Sequence, residues 1–524
     1  MKLRILSAAR LSLPLASALA ALLAAPAARA TDLYWDIDDA TAGAGGAAPA
    51  GIWSTGGTTW SSSPNGSVAT PATTTLATDD LFFSAGVNAT GVYGISLTST
   101  QDAGSLTFQD GTATISGASG IITLGGAGGK MTVNNGAAAT IGAVTDTVIG
   151  GSVGLTKGGV GTLTLNGSLA NTFSGGLNVN GGTLAVDFAN LVTPTDLIAS
   201  GNDLALGGGT LSVTGKITGT TSQTLGNVTV NSGGGQILVN PNGGTSTTVT
   251  LGTLTSSASG GRLEVGQALS AGAGTVTITT TTDKDATGIY GGRVVFANGT
   301  AGTGYDWATN AGGGPAYTLG AYAGYAALGL AAGTDAANSR ITANQTMTGS
   351  RTTNSLKFEN PLTAQTLTIG AGNTLTLSNG GLLFTGAGVA QGPRVGTVSA
   401  TTPFPSIGSI TAGNGSGSYD LVVHQYNASS VILIGSIGSA ITNNTTISSN
   451  IVNNGSNPVT LVKTGPGGLV VAGTANTFSG GIVVNQGNIA FNSLNSINNN
   501  AITFNGPIAL LILLRRKPPV ATSR

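Results

Sequence analysis

One segment of this chain occurs twice. Residues 155–176 read LTKGGVGTLTLNGSLANTFSGG, and residues 461–481 read LVKTGPGGLVVAGTANTFSGG. Six of the first thirteen aligned positions are identical, and NTFSGG then matches at all six of its positions after a one-residue insertion in the first copy. An active site is normally built once, whereas a recurring segment is typical of a unit that stacks on its neighbours. The repetition therefore predicts a repetitive scaffold.

The composition and the local pattern both indicate β-structure. Of the 524 residues 86 are Gly, and only 7% are charged. Gly without a three-residue period excludes collagen, and the many β-branched residues argue against simple disorder. In TLTLNG, Leu163 and Leu165 would point to one face while Thr162 and Thr164 point to the other, which is the period of a half-buried strand. The sequence therefore predicts a turn-rich all-β protein.

Two packings satisfy this pattern, an antiparallel sandwich and a parallel β-helix. A sandwich would close after several strands and restart as a new domain, whereas a β-helix continues coil upon coil. The uninterrupted pattern from about residue 91 to 505 favours a right-handed parallel β-helix, or β-solenoid, of about 20 coils in a rod on the order of 100 Å long. Corner residues are predicted to stack into hydrogen-bonded ladders, namely Asn134, Asn135, Asn171, Asn476 and Asn485.

The N-terminal residues have the order of a signal peptide. Basic Lys2, Arg4 and Arg10 precede the apolar residues 11–25 and the small-residue site at 28–30. This order predicts a Sec signal peptide over residues 1–30, with a membrane anchor as the alternative. The absence of Cys fits an exported protein that does not rely on disulfides.

The sequence pattern divides the rest of the chain into five segments. Aromatic residues are concentrated in residues 31–90, which we interpret as an N-terminal cap on the first coil, with a carbohydrate-stacking platform as the alternative. Residues 302–335 are rich in Ala, Gly and Tyr and lose the alternation, which indicates an excursion from the rod. The β-helix is predicted over 91–301, with a repeat at 155–186, and over 336–506, with the second repeat at 461–491. Residues 507–524 form an atypical tail, either genuine or the product of a truncated or frame-shifted gene.

The charges argue against nucleic acid as a partner. Four basic residues lie in the first 30 positions and four in the last ten, which leaves 11 basic against 19 acidic residues in the body of the chain. No basic stripe is present. The apolar run 508–514 is too short to span a bilayer, so we predict no stable transmembrane span.

The sequence offers little catalytic or metal-binding chemistry. His424 is the single histidine and lacks a nucleophile elbow, so we interpret it as a surface or corner residue. Two acidic segments, Asp36/Asp38/Asp39 and Asp283/Asp285, have clustered oxygens beside Gly but lack the far acid of an EF-hand loop. We interpret both as turns and predict no catalytic residue, no cofactor and no metal.

At this point the repeated segment is recognisable. The pattern L-x-K-x-G-x-G-x-L-x-L-x-G followed by N-T-F-S-G-G-L-x-V-N-G-G-T-L, over residues 155–184, resembles the autotransporter-associated β-strand repeat, also called the passenger-associated transport repeat. The second copy, residues 461–489, keeps this frame but departs at Thr464, Pro466, Gln486 and Asn488. The opening LYWD and the segment LVVHQYNASSVILIGSIGSAI resemble the same family. We identify no counterpart of the family's C-terminal membrane β-barrel, so the resemblance is to a passenger region alone.

The resemblance implies an exported, non-enzymatic surface protein of a Gram-negative bacterium. It would leave the cytoplasm through the Sec machinery, reach the periplasm, the cell surface or the exterior, and act as a structural rod or an adhesin for a glycan or another cell-surface ligand. Its repeats would assist transport and folding. The residues that carry the motif are Leu155, Lys157, Gly159, Gly161, Leu163, Gly167, Asn171, Phe173, Gly175 and Gly176, and then Leu461, Lys463, Gly465, Gly467, Leu469, Gly473, Asn476, Phe478, Gly480 and Gly481.

A secreted polysaccharide lyase or hydrolase is the alternative, because such enzymes also use parallel β-helices. Their sites need several charged residues on one face of neighbouring coils. In this sequence only Asp283, Lys284 and Asp285 with Arg293, or Arg340 with Arg351, come near one another.

Overall fold

The computed structural model of the chain describes residues 30–126, 128–143, 145–256, 260–314, 316–359, 365–386, 393–396, 408–415, 417–427, 445–492, 494–505 and 509–513. The predicted signal peptide and most of the predicted tail, including 514–524, lie outside these residues. Residues 428–441, the second part of the segment that begins LVVHQYN, also lie outside the described residues. In the described part, no helix has the length and apolar character needed to cross a membrane.

The described residues fold into long parallel sheets, which confirms the predicted all-β, β-helical fold. The sheets fall into two stacks, separated near residue 300. We call residues 32–298 the N-terminal β-helix and residues 326–513 the C-terminal β-helix. Two short 3-10 turns, Gly291–Arg293 and Leu494–Ser496, are the helical elements of the described chain.

The N-terminal β-helix has three faces. The first consists of Asp32–Trp35, Asp80–Phe83, Ser105–Phe108, Lys130–Val133, Leu155–Gly158, Leu177–Val179, Leu204–Leu206, Val228–Val230 and Leu254–Ser256, with Trp60–Ser61 antiparallel at its edge. The second consists of Gly51–Trp53, Val92–Leu97, Thr112–Ser116, Ala138–Ile141, Thr162–Leu165, Thr183–Asp187, Thr210–Thr214, Gly235–Asn240, Leu263–Gln267 and Val294–Asn298. The third consists of Gln101–Ala103, Ile121–Leu124 and Val148–Gly150, and further along of Thr220–Thr224, Ser246–Thr250 and Thr275–Thr280.

The C-terminal β-helix is built in the same way. Its first face consists of Ala326–Ala327, Asn338–Ile341, Ser355–Glu359, Gly381–Thr385, Tyr419–Gln425, Val459–Thr464, Ile482–Val484 and Ile502–Phe504. Its second consists of Gly333–Thr334, Arg351–Thr353, Thr374–Leu377, Ser409–Ala412 and Asn450–Ile451. Its third consists of Gln345–Met347, Thr366–Ile369, Arg394–Val395, Thr445–Ile447, Leu469–Val471, Gly487–Phe491 and Ala509–Leu513.

The alternation in the sequence produces a separate apolar core in each β-helix. In Thr162–Leu165 the two Leu side chains are buried and the two Thr side chains half-buried, as their period of two predicts. Equivalent residues then stack in register: Leu163 pairs with Ala139 on one side and with Leu184 on the other. Each interior is therefore a column of Leu, Val and Ile shared along the stack.

The predicted excursion, residues 302–335, spans the change from the N-terminal to the C-terminal β-helix. Strands Tyr305–Ala311 and Tyr317–Ala321 form an antiparallel hairpin that continues two faces of the N-terminal β-helix. The excursion predicted from composition is therefore not a free projection. Because the hairpin pairs antiparallel, it ends the parallel stacking, and a second stack begins at Ala326–Ala327.

The two β-helices pack side by side in opposite directions, rather than forming one rod of about 20 coils. Residues that come later in the C-terminal β-helix contact residues that come earlier in the N-terminal one. The series runs from Asn338 with Thr287, through Tyr426 with Glu264, to Asn505 with Ser232. A small apolar core fills the interface, including Trp307, Leu383 and Tyr426.

Candidate functional site

Each copy of the repeat builds one coil, and the two coils are alike. Leu155 and Leu163 are fully buried in the N-terminal β-helix, and Leu461 and Leu469 are fully buried in the C-terminal one. Leu155 pairs with Leu177, 22 residues further along, and Leu461 pairs with Ile482, 21 residues further along. The shared motif therefore corresponds to a shared structural unit.

The motif lysine points into the β-helix. Lys157 is 0% exposed and lies in register between Met131 and Val179. Its Nζ donates hydrogen bonds to the carbonyl oxygens of Gly158 at 2.8 Å, Gly159 at 3.1 Å and Gly181 at 3.1 Å. A protonated ammonium has three donors, so the three carbonyls use all of them.

The second lysine repeats this arrangement. Lys463 is 0% exposed, and its Nζ donates to the carbonyl oxygens of Thr464 at 3.0 Å, Gly465 at 2.8 Å and Gln486 at 3.0 Å. In both copies two acceptors belong to the lysine's own corner and the third belongs to the next coil. The ammonium therefore joins two successive coils at a corner where carbonyl groups converge.

Burial acts against the charge on both lysines. It lowers the pKa of Lys157 to about 8, still above neutral pH. For Lys463, burial and then the charge of Arg262 hold the pKa well below its usual value. Three charge-assisted hydrogen bonds oppose this loss of hydration, so the carbonyl cage is the feature that allows an ammonium inside an apolar core.

The motif glycines occupy corners where a side chain does not fit. Gly159 has φ +72° and Gly465 has φ +79°, a backbone conformation that favours Gly. A Cβ at Gly159 would lie 2.2 Å from the Val133 carbonyl oxygen, and one at Gly465 would lie 2.4 Å from the Gln425 carbonyl oxygen. Close approach between coils also restricts Gly161, Gly167, Gly175, Gly467, Gly473 and Gly480, while Gly176 and Gly481 have positive φ.

The motif asparagines join neighbouring coils through the backbone. Asn171 accepts a hydrogen bond from the Ile149 amide at 2.8 Å and donates to the Leu197 carbonyl oxygen at 3.1 Å. Asn476 likewise accepts from the Ile451 amide at 2.8 Å and donates to the Ser496 carbonyl oxygen at 2.7 Å. Phe173 and Phe478 follow two residues later and are fully buried.

The other predicted ladder positions behave differently. Asn134 is half-buried and Asn135 exposed. Asn485 accepts a hydrogen bond from Asn505 Nδ2 at 3.0 Å and donates to the Gly260 carbonyl oxygen of the other β-helix at 2.7 Å. Among the five predicted positions, a side-chain ladder is therefore seen at Asn485 alone.

The interpretation of His424 as a surface or corner residue is wrong. His424 is 0% exposed and lies between the two β-helices, with Nε2 3.0 Å from the Gly292 carbonyl oxygen and its ring edge-on to Trp307 at 5.4 Å. Burial lowers its pKa to about 3, so the imidazole is neutral and its Nε2–H donates to Gly292. The alternating strand pattern did not reveal this position, because both faces of Tyr419–Gln425 are covered.

Charged residues that are scattered in the sequence also meet at this interface. Arg293 forms an ion pair with Asp420 at 2.9 Å, and Arg262 lies 3.8 Å from Glu264. The Tyr426 hydroxyl donates to Glu264 at 2.6 Å. Arg340 and Arg351, which come near one another in the sequence, each form an ion pair with an acidic residue. Arg340 pairs with Glu359, and Arg351 pairs with Asp335. These charges therefore hold the fold together.

A cavity of about 280 Å³ lies beside the interface. Its charged lining residues include Arg262, Arg293, Asp283 and Asp285. Asp283 accepts a hydrogen bond from Asn310 at 3.0 Å, which holds the pKa of its carboxyl below the usual value. Asp285 accepts hydrogen bonds from the amides of the turn that follows it, including Thr287 at 2.8 Å. In this acidic segment the carboxylates thus act within turns.

The part of the chain that the structure describes has few side chains that could bind a metal ion or a cofactor. There, no group of three or more His, Asp or Glu side chains is arranged to hold a metal ion. Several buried charged side chains, including Lys357, lie between the two β-helices.

Comparison with known proteins gives two matches. The family profile described as Passenger-associated-transport-repeat matches residues 155–186 and 461–490. A relative named "Adhesin BmaC autotransporter", from Brucella suis biovar 1 (strain 1330), is 33% identical over 191 residues, which cover 36% of this chain and 5% of that protein. The chain thus spans a small fraction of the length of this relative. No solved structure matches the chain.

Proposed function

We propose that this chain is the exported, non-enzymatic passenger part of an autotransporter-type surface protein and that it acts as a structural rod or an adhesin. The family profile and the name of the relative support this class. We further propose that the repeats assist transport and folding, and that residues 1–30 direct Sec-dependent export to the periplasm, the cell surface or the exterior.

One observation carries the proposal. Each repeat places equivalent residues at equivalent positions of its own coil, and in each coil a buried lysine donates hydrogen bonds to three corner carbonyl oxygens. A motif conserved between two copies in this way maintains a stacking unit. It presents its lysine to the interior, where no ligand or substrate can reach it. The recurring residues therefore serve architecture, which is what a rod requires.

The segment boundaries follow from the same proposal. Residues 31–90 would close the first coil, because Trp35, Trp53 and Trp60 are buried together against Phe83. Aromatic rings held inside the coil favour a cap over a carbohydrate-stacking platform. The hairpin at Tyr305–Ala311 and Tyr317–Ala321 would close the other end of the N-terminal β-helix, and the second stack would begin at Ala326–Ala327, ten residues before the predicted boundary at 336.

Adhesion is tested with the purified chain immobilised on beads. We expect the folded chain to hold host cells or a glycan array above the level of the same chain after heat unfolding. Equal retention by folded and unfolded chains would contradict a specific adhesin. In parallel, incubation with acidic and neutral polysaccharides should release no new reducing ends and no unsaturated products. Release of either product would favour the alternative, a polysaccharide-active enzyme.

The role in export is tested with Lys157→Met and Lys463→Met in a Gram-negative host. If the repeats assist folding outside the cytoplasm, both variants should reach the exterior in smaller amounts and be digested faster by added protease. The control is Lys130→Met, since Lys130 is exposed on the coil that precedes the first repeat. Equal export and protease resistance of all three variants would contradict this part of the proposal.

A further inference from the structure

The third face of the N-terminal β-helix has a uniform set of outward side chains near its C-terminal end. In the strands Thr220–Thr224, Ser246–Thr250 and Thr275–Thr280, the first, third and fifth residues point outward and are exposed or half-buried. These nine residues are seven Thr and two Ser. We call their side chains the hydroxyl array. The array contains no charged and no aromatic side chain.

The hydroxyl array is regular in two directions. Thr248, at its centre, pairs with Ser222 on one side and with Thr277 on the other, and the outer positions pair in the same register. Neighbouring strands lie about 4.8 Å apart, and alternate residues of a parallel strand lie about 6.6 Å apart. The array is therefore a lattice with these two repeats, roughly 10 Å by 13 Å in extent. Because Thr is branched at Cβ and has few rotamers, the lattice is largely preformed.

The hydroxyls of the array are available to an external partner. Ser222 Oγ donates a hydrogen bond to Thr195 Oγ1 at 3.3 Å. Within the part of the chain that the structure describes, the other eight hydroxyls form no hydrogen bond with the protein. The C-terminal β-helix is contacted by other segments of these coils, which include Ser232, Glu264 and Arg293. The array therefore faces solvent.

The other two faces show that such a lattice is not a general property of the stack. On the second face, Ala138 and Ala185 interrupt the rows of Thr. On the first face, Thr156 lies in register between Lys130 and Asn178. An uninterrupted set of hydroxyls is thus a local feature of the third face, and it calls for an explanation of its own.

We propose that the hydroxyl array is an ice-binding surface. A hydroxyl both donates and accepts hydrogen bonds, so an uncharged lattice of hydroxyls is complementary to a solid whose surface is an uncharged lattice of donors and acceptors. Ice is such a solid, and the oxygen atoms on its prism faces recur at repeats close to those of the array. The inference goes beyond the proposed function and does not depend on it.

The composition of the array favours ice over a macromolecule. The centres of protein interfaces are enriched in aromatic residues and Arg, and their strongest anchors are Trp, Tyr and Arg. The array has none of these residues. Its Thr residues instead alternate hydroxyl and methyl groups, which can hold ordered water at the spacing of the lattice. A surface of this kind has no charge that would favour liquid water over ice.

The experiment uses the purified chain labelled with a fluorescent dye. Ice is grown slowly in a dilute solution of the labelled chain, and the dye is then compared between the ice and the remaining liquid. The freezing and melting temperatures of small crystals are measured in the same solution. An ordinary protein is excluded by growing ice, whereas we expect this chain to enter the ice and to lower the freezing temperature below the melting temperature. Exclusion of the wild-type chain from the ice overturns the proposal.

A matched pair of variants assigns the effect to the array. Thr248→Lys places a long charged side chain at the centre of the array, so we expect loss of incorporation into ice and loss of the gap between freezing and melting. Thr229→Lys makes the same change at an outward position of the first face and should behave as wild type. Circular dichroism shows whether each variant folds. If Thr248→Lys does not fold, Thr248→Val, which removes the hydroxyl alone, should reduce incorporation.

The remaining outcomes contradict the proposal. Equal incorporation of Thr248→Lys and wild type, or equal loss in Thr248→Lys and Thr229→Lys, overturns the assignment to this face. The same variants test two other occupants. Binding to microcrystalline cellulose, or dimer formation in sedimentation, that Thr248→Lys abolishes while wild type is excluded from ice would assign the array to a polysaccharide or to a second copy of the chain.

Discussion

Replacing Lys157 by Met isolates what the buried ammonium contributes. The side chain lies in a column between Met131 and Val179, so Met is compatible with its apolar surroundings. The variant loses three charge-assisted hydrogen bonds to the carbonyl oxygens of Gly158, Gly159 and Gly181. Each such bond contributes roughly 1.5–3 kcal/mol, so the gross loss is about 4–9 kcal/mol.

The cost of burying the charge offsets part of that loss. Burial lowers the pKa of Lys157 from 10.5 to about 8, which corresponds to about 3 kcal/mol against the ammonium. The remainder predicts that Lys157→Met lowers the free energy of unfolding by about 1–6 kcal/mol at neutral pH. Buried ion pairs can often be replaced by apolar residues without loss, so the sign of the change is itself informative.

Urea unfolding at neutral pH, followed by circular dichroism, measures this change, with Lys130→Met as the matched control. Lys130 is exposed in the preceding coil, so its variant should stay within about 0.5 kcal/mol of wild type. Between about pH 8 and 10.5 Lys157 is protonated in the unfolded chain but has lost its proton in the native chain. The contribution of Lys157 therefore makes the free energy of unfolding rise with pH over this range, and the Lys157→Met variant should lack that rise. A Lys157→Met chain as stable as wild type would refute the carbonyl-cage argument.

Three further predictions concern the corner, the interface and the direction of packing. Gly159→Ala should cost about 2–4 kcal/mol in urea unfolding, against about 1 kcal/mol for Gly136→Ala, which shares positive φ but meets no atom within 4 Å. His424→Gln should remove a loss of stability as pH falls from 6.5 towards about 3, because over that range only the unfolded histidine takes up a proton; an unchanged acid titration would contradict this. The double variant Ser232→Cys, Asn505→Cys should form a disulfide, because Asn505 Nδ2 lies 3.0 Å from Ser232 Oγ. The disulfide would be seen as a shift on a non-reducing gel. In a single continuous stack the two residues would lie tens of ångströms apart and would remain unlinked.

The sequence was sufficient to predict the local repeat. The period of two placed Leu163 and Leu165 inside, and they are inside. The same period also places Lys157 on the face of Leu155, two residues away, so its burial was within reach of the pattern. It was missed because a lysine is ordinarily exposed, and only the three carbonyls of the folded corner make its burial tolerable.

The packing of the two stacks was beyond the sequence pattern. The break at 302–335 was visible, but hydrophobic alternation records which way a side chain points and not which way the next stack runs. The direction depends on the antiparallel pairing of Tyr305–Ala311 and on contacts such as Tyr426 with Glu264. His424 was misplaced for the same reason, since its burial comes from the second β-helix.

The side-by-side packing also bears on the order in which the molecule folds. Bonds within a stack join residues close in sequence, as in the 22-residue separation of Asn171 and Ile149. Bonds between the stacks join residues far apart, 162 for Tyr426 with Glu264 and 273 for Asn505 with Ser232. Contacts of low sequence separation form fast, and closing a long chain loop carries a larger entropic cost. We therefore expect the coils of each stack to form before the two stacks dock, so that each ordered half provides the surface on which the other packs.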